Sequence, residues 1–168
     1  KGYNHWVGND FSVIGYSDVN SIIIRTRNDW PNDGFDGFYI ALWDDTYAEP
    51  GEIIWPIDGN AKFIDKNELQ ANYNEGWVEL DVNYSLSETR IYGCMEQYFN
   101  HPEADPFCVD TNTEDQGHSW QNNGTEWRRM DTGDLGDINN NNLMLRIRVT
   151  PTKGVSTTSL GTVKALYR

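Results

Sequence analysis

Trp77-Val78-Glu79-Leu80-Asp81-Val82 is the stretch that decides the fold class. Val78, Leu80 and Val82 alternate with Glu79 and Asp81, a period of two. That is the repeat of a strand with one face in a core and the other in water. Runs of the same kind recur on both sides of it. Upstream stand Ser21 to Arg27, then Phe38 to Trp43 closed by Asp44-Asp45, then Glu52 to Trp55 after the turn signal Pro50-Gly51. Downstream come Arg90 to Gln97, Phe107 to Thr111, Glu126 to Met130 and Leu143 to Val149. In the last, Leu143, Leu145, Ile147 and Val149 alternate with Met144, Arg146 and Arg148. Gly, Asn, Asp and Pro punctuate the runs, and only Asp65 to Ala71 has the pattern of one short helical turn. The series predicts an all-β chain of eight or nine short strands, folded as an antiparallel β-sandwich of jelly-roll type. No repeat or linker divides it, so residues 1–168 are expected to form a single domain.

Composition narrows the class further. The chain has 168 residues, with 13 Lys plus Arg against 26 Asp plus Glu, a formal net charge of -13. Nucleic acid and anionic membranes would repel such a surface. No apolar run approaches the ~20 residues of a membrane-spanning helix. With 7 Trp, 9 Tyr and 6 Phe, the chain is too aromatic for a disordered acidic tail. It begins Lys1-Gly2-Tyr3 without Met, which fits a secreted protein whose signal has been removed or a domain cut from a longer chain. The sequons Asn83-Tyr84-Ser85 and Asn123-Gly124-Thr125 permit glycosylation outside the cell. Cys94 and Cys108 each sit in a strand-like run. They are expected either to form a disulfide between neighbouring strands or to be two buried thiols, and they lack the companions of a zinc site.

Two acidic loops have the composition of a calcium site. Asp131, Asp134, Asp137 and Asn139 offer hard oxygen ligands on a backbone with two Gly, and Asp33 with Asp36 repeats the theme. Calcium takes six to eight such oxygens. The alternative for both loops is an acidic, solvated turn. Asp44, Asp45 and Glu49 form a weaker third cluster. Catalytic patterns are poor. His5, His101 and His118 are scattered, and no nucleophile elbow, phosphate loop or zinc-protease motif occurs. The expectation is therefore a chain that is not an enzyme.

The tryptophans are the remaining signal. A flat indole stacks on the apolar face of a sugar while neighbouring amides and carboxylates bond its hydroxyls. Trp30, beside Asn28 and Asp29, and Trp120, followed by Gln121, Asn122 and Asn123, have that setting. Trp43, Trp55 and Trp77 lie within strands and are expected to fill the sandwich.

The order of these motifs is similar to a known pattern. Phe38 to Asp45, Glu49 to Ile54, Gly76 to Leu80, Val109 to Thr111, His118 to Trp120 and Leu143 to Ile147 resemble the successive strands and turns of secreted bacterial jelly-roll accessory domains. The resemblance covers residues 20 to 150, through short and degenerate motifs. It implies a non-catalytic extracellular module, of the kind attached to a protease, a glycosidase or a surface protein. The tail Ser159 to Arg168 resembles a terminal segment of some exported bacterial proteins.

Two functions compete on these grounds. The first is a secreted structural protein that polymerises with itself into a filament, tube or surface layer. Its contacts would come from strand exchange or edge pairing by residues 1–16 and 159–168, with Leu160, Val163, Ala165 and Tyr167 in the tail strand and calcium between subunits. The second is a carbohydrate-binding module whose partner is a polysaccharide, with Trp30 or Trp120 as the stacking platform and Asn122 beside it.

Overall fold

The alternation over residues 77–82 is realised as a strand. Val78, Leu80 and Val82 are buried, Asp81 is exposed and Glu79 lies between. The computed structural model describes residues 5–26, 37–97, 109–110, 118–122, 124–130 and 142–153. In chain order these form β1 (His5–Ser12), β2 (Tyr16–Arg25), β3 (Gly37–Thr46), β4 (Glu49–Trp55), β5 (Lys62–Asp65), α1 (Lys66–Ala71), β6 (Tyr73–Asn74) and β7 (Trp77–Ser85). Then follow β8 (Arg90–Gln97), β9 (Val109–Asp110), β10 (Ser119–Asn122), β11 (Trp127–Arg129), β12 (Asn142–Leu143) and β13 (Leu145–Pro151).

Among the described residues all strand pairs are antiparallel, and they make two main sheets. The larger has seven strands in the order β11-β10-β1-β8-β3-β4, with β5 also on β3. The smaller has four, β13-β2-β7-β6, and β12 pairs β9 separately. Between the sheets lies an aliphatic core. Ile22 and Ile24 from β2, Val78 and Leu80 from β7, and Leu145 and Ile147 from β13 meet Phe38, Ile40 and Leu42 from β3 and Ile91 and Met95 from β8. The Leu143 to Val149 alternation places its apolar set on this core, but the run is broken at Met144. Residues 142–143 pair with β9, and residues 145–151 pair with β2.

One polar group spans the sheets, and it is fully bonded. The Asn9 amide donates to the carbonyls of Leu143 (2.9 Å) and Leu145 (3.1 Å) and accepts from the Ser119 hydroxyl (2.9 Å). Ser119 Oγ in turn accepts the Leu143 N–H at 3.0 Å. This clip ties β1 and β10 to the start of β13. The short helical turn α1 is capped by Asp65, whose carboxylate accepts the Glu68 N–H at 2.9 Å.

The structure corrects two expectations about edges and cores. The stretch from Trp6 is not a free sheet edge: β1 is hydrogen-bonded on both sides, to β8 and to β10. Trp77 does not fill the sandwich either. It lies on the outer face of the smaller sheet, with the guanidinium of Arg146 at 4.3 Å and that of Arg25 at 5.5 Å from its ring centroid. Of the three tryptophans expected inside, only Trp55 packs against the aliphatic core. The tail strand with Leu160, Val163, Ala165 and Tyr167 lies outside the described residues.

Candidate functional site

Residues Phe38 to Trp43 and Ile91 to Met95 are apolar or small at nearly every position, without the polar alternation of β7. Such strands are buried on both faces. One face of each meets the aliphatic core. The other face turns into a second core, and this one is aromatic.

The second core is made of Tyr92, Cys94 and Trp120, with Trp6, Trp43 and Trp127 packed over them. Register explains how they meet. Across β1, β8 and β3 the row Gly8–Cys94–Ala41 forms a floor of small residues. On one side stand Trp6, Glu96 and Tyr39, and on the other Asp10, Tyr92 and Trp43. β10 adds Trp120 opposite Gly8, and β11 adds Trp127 opposite Asn122. Gly8 has to be glycine. A Cβ there would lie 2.4 Å from Cys94 Sγ and 2.4 Å from the Gly93 carbonyl oxygen.

The larger sheet curls around this floor. Trp127 and Trp43 sit four strand spacings apart in the sheet order, about 19 Å if the sheet were flat. Their ring centroids are 5.4 Å apart, and β11 touches β4 although the two lie at opposite ends of the order. The rings line the concave side. Trp43 meets Trp6 (5.5 Å, 74°) and Trp127 (5.4 Å, 76°) edge to face, and Trp120 meets Tyr92 in the same way (5.6 Å, 88°). Trp6, Trp43 and Trp127 remain partly exposed, so these three rings form the solvent-facing side of this concave aromatic face, which we call the hollow.

Two polar atoms in the hollow are unsatisfied. The indole N–H groups of Trp43 and Trp120 are buried and have no hydrogen-bond partner. An orphaned buried donor costs about 1–3 kcal/mol, so such groups are rare and point to a missing acceptor.

The rim is polar. The Tyr92 hydroxyl donates to Asp45 Oδ1 at 2.8 Å. Burial, with the hydrogen bond to Asp45 next, raises its pKa above the ordinary tyrosine value. The Asp10 side chain, 8% exposed, pairs with His118 Nδ1 at 2.8 Å and lies 3.8 Å from Arg90 Nε. Arg129 stands 5.2 Å over the Trp120 ring. Glu96 is half-buried among the rings, and burial pushes its carboxyl up from the usual range. The thiol of Cys94 is free and fully buried, and burial pushes it well up, so it is held as the neutral thiol rather than the nucleophilic thiolate.

The residues picked from sequence fare unevenly. Trp120 does belong to the aromatic cluster. At 5% exposed and covered by Arg129, however, it offers no open ring face, so the platform expected there is corrected to a wall of the hollow. Asn122 sits on the same face, half-buried, with its side chain accepting the Gly124 N–H at 2.7 Å. Trp30, Asp33, Asp36, Asp131, Asp134, Asp137 and Asn139 lie outside the described residues, as does Cys108, the expected partner of Cys94. Among the described residues no three His, Cys, Asp or Glu side chains gather as a metal site. Sequence reasoning missed Trp6, Gly8, Tyr92 and Trp127. The signal for them was the doubly apolar character of β3 and β8.

Comparison with family models, with curated proteins and with solved structures finds no match to this chain.

Proposed function

We propose that the protein is a non-catalytic extracellular module that binds a carbohydrate in the aromatic hollow of its larger sheet. The observation that carries this reading is the pair of indole N–H donors, Trp43 and Trp120, left without acceptors behind three partly exposed rings. A concave apolar surface with a few convergent polar groups is the usual form of a small-ligand site. A sugar fits both halves of that description, since its C–H face stacks on an indole and its hydroxyl oxygens accept hydrogen bonds. The jelly-roll connectivity expected from the sequence belongs to the same proposal. The test is affinity electrophoresis through gels containing soluble neutral and amino polysaccharides. Retardation of the protein, abolished in the Trp6→Ala, Trp127→Ala double variant, is the expected result. Unretarded migration through the whole panel overturns the reading.

A second reading, the self-associating structural protein, is favoured by where exposed apolar side chains fall. Ile14 (72% exposed) and Tyr47 (98%) follow the parallel-running ends of β1 and β3, whereas Ile57 (89%) follows β4 at the opposite end. Tyr47 and Ala48 form the two-residue loop of the β3–β4 hairpin at φ 56 and 64, where Gly or Asn is preferred. Apolar groups at opposite ends suit head-to-tail contacts, which give fibres when they do not close. Calcium in the acidic loops would neutralise charge between subunits. Electron microscopy in calcium and after EDTA tests this reading. Ordered polymers that are lost in Tyr47→Ser support it, and dispersed monomers in both conditions remove it.

A further inference from the structure

We infer that the tip of the β3–β4 hairpin, Tyr47 with the carboxylates of Asp45 and Glu49, docks on the outer face of the smaller sheet of a second copy, at Trp77 between Arg25 and Arg146. The inference rests on the self-association reading, names the contact that builds the polymer, and is independent of what the hollow binds.

The receiving face follows from register. On the outer side of the smaller sheet Arg25 stands opposite Trp77, and Arg146 opposite Ile23. The guanidiniums of Arg146 and Arg25 lie 4.3 and 5.5 Å from the Trp77 ring centroid, and Trp77 and Ile23 are each only partly buried. Arg148 on the same face is matched by Glu79. Arg25 is held by the Glu75 carbonyl and Arg146 by the ring, and among the described residues neither has a carboxylate partner. A guanidinium stacked on a ring keeps its N–H edge for a carboxylate.

The incoming tip is aromatic too, and of opposite charge. Tyr47 is 98% exposed at φ 56, a conformation that favours Gly or Asn, so it is held at some local cost without burying its ring in the monomer. Asp45 and Glu49 flank it on the two arms of the hairpin, both exposed. At a net charge of -13 most faces of two copies repel each other, whereas this pairing attracts. Tyr, Trp and Arg are also the side chains on which interfaces concentrate their binding energy.

Strand direction makes the contact propagate. Ser12 stands opposite Arg90 and Asp44 opposite Ile91, so β1 and β3 finish at the same end of the larger sheet. β2 starts there, after a short link from β1, and runs ten residues, about 30 Å, to Arg25 at the other end. Tip and patch therefore cannot meet within one chain. A contact between copies leaves a tip at one end of the pair and a patch at the other, which is the head-to-tail geometry of a fibre or ring.

The experiment is sedimentation velocity of the whole chain in calcium at physiological salt, over rising concentration. Tyr47→Ser removes the tip and keeps the patch, and Arg146→Glu removes the patch and keeps the tip. Near-ultraviolet circular dichroism checks each fold, and Arg146→Gln takes the place of a reversal that disturbs it. The wild type is expected to form species that grow with concentration, and each variant to associate at least about tenfold more weakly. An equimolar mixture of the two variants should give a species of two chains and nothing larger, because one intact tip meets one intact patch. Wild-type growth that either variant leaves unchanged overturns the inference and leaves self-association standing. Two weakened variants that stay monomeric when mixed show that tip and patch do not meet, and also overturn it. A wild type that is monomeric throughout overturns both.

Discussion

Between the two sheets, apolar side chains from six strands close a core into which Asn9 and Ser119 intrude with every hydrogen bond made. Inside the curl of the larger sheet, five aromatic residues and a thiol close a second core whose two buried indole donors have none. The first is complete without any other molecule. The second has the small floor, perpendicular walls and unmet donors of a place that a ligand finishes. Removing parts from the first should therefore cost stability, whereas removing parts from the second should cost binding.

The largest effect is expected in the aliphatic core. Leu80 is fully buried, and Leu80→Ala should lower stability by about 3 kcal/mol in urea unfolding. Next is the clip. Asn9→Ala strips partners from two carbonyls and the Ser119 hydroxyl, for a loss of about 2 kcal/mol. Trp43→Phe sharpens the contrast, because it removes an unsatisfied donor along with part of a ring. Its stability change should stay within about 1 kcal/mol, while sugar affinity falls about tenfold. A loss as large as that of Asn9→Ala would show that the indole N–H is satisfied, and the contrast would fail.

The smallest effect lies outside both cores. Arg148 holds Glu79 through two bonds of 2.6 and 2.7 Å, and that hydrogen bonding lowers the Glu79 carboxyl from its ordinary value of 4.5. A lowered carboxyl stabilises the fold above its unfolded value and stops doing so as the pH falls through its folded value. Both side chains are largely solvated, so Arg148→Ala should cost only about 0.5 kcal/mol near neutral pH. The difference from wild type should close once the pH drops well below 4.5. A gap that persists in acid would assign the effect to packing.

What could be read from sequence follows the same division. β7 and β13 were legible because one face is wet, so the pattern alternates openly. α1 was legible as the one short helical turn over Asp65 to Ala71. β8 was legible as a strand from Arg90 to Gln97, but the meaning of its second apolar face was not. The interior place of β1 and β10 was not legible, because their inward positions include the polar residues Asn9, Ser119 and Gln121. Only a partner distant in sequence, Leu143 or Leu145, makes them interior. The curl that brings Trp127 to Trp43 is a property of the whole sheet and leaves no mark in either local sequence.

The most direct test of the hollow as a ligand site is the indole N–H region of a ¹H–¹⁵N NMR spectrum, with the 7 tryptophans assigned by substitution. The spectrum is followed during titration with glucosamine and then glucose oligosaccharides. The account predicts that the Trp43 and Trp120 resonances move at saturation as their protons gain acceptors. If both stay fixed while the protein is saturated with a bound sugar, or with every sugar offered, the hollow is a second structural core and the binding proposal is wrong.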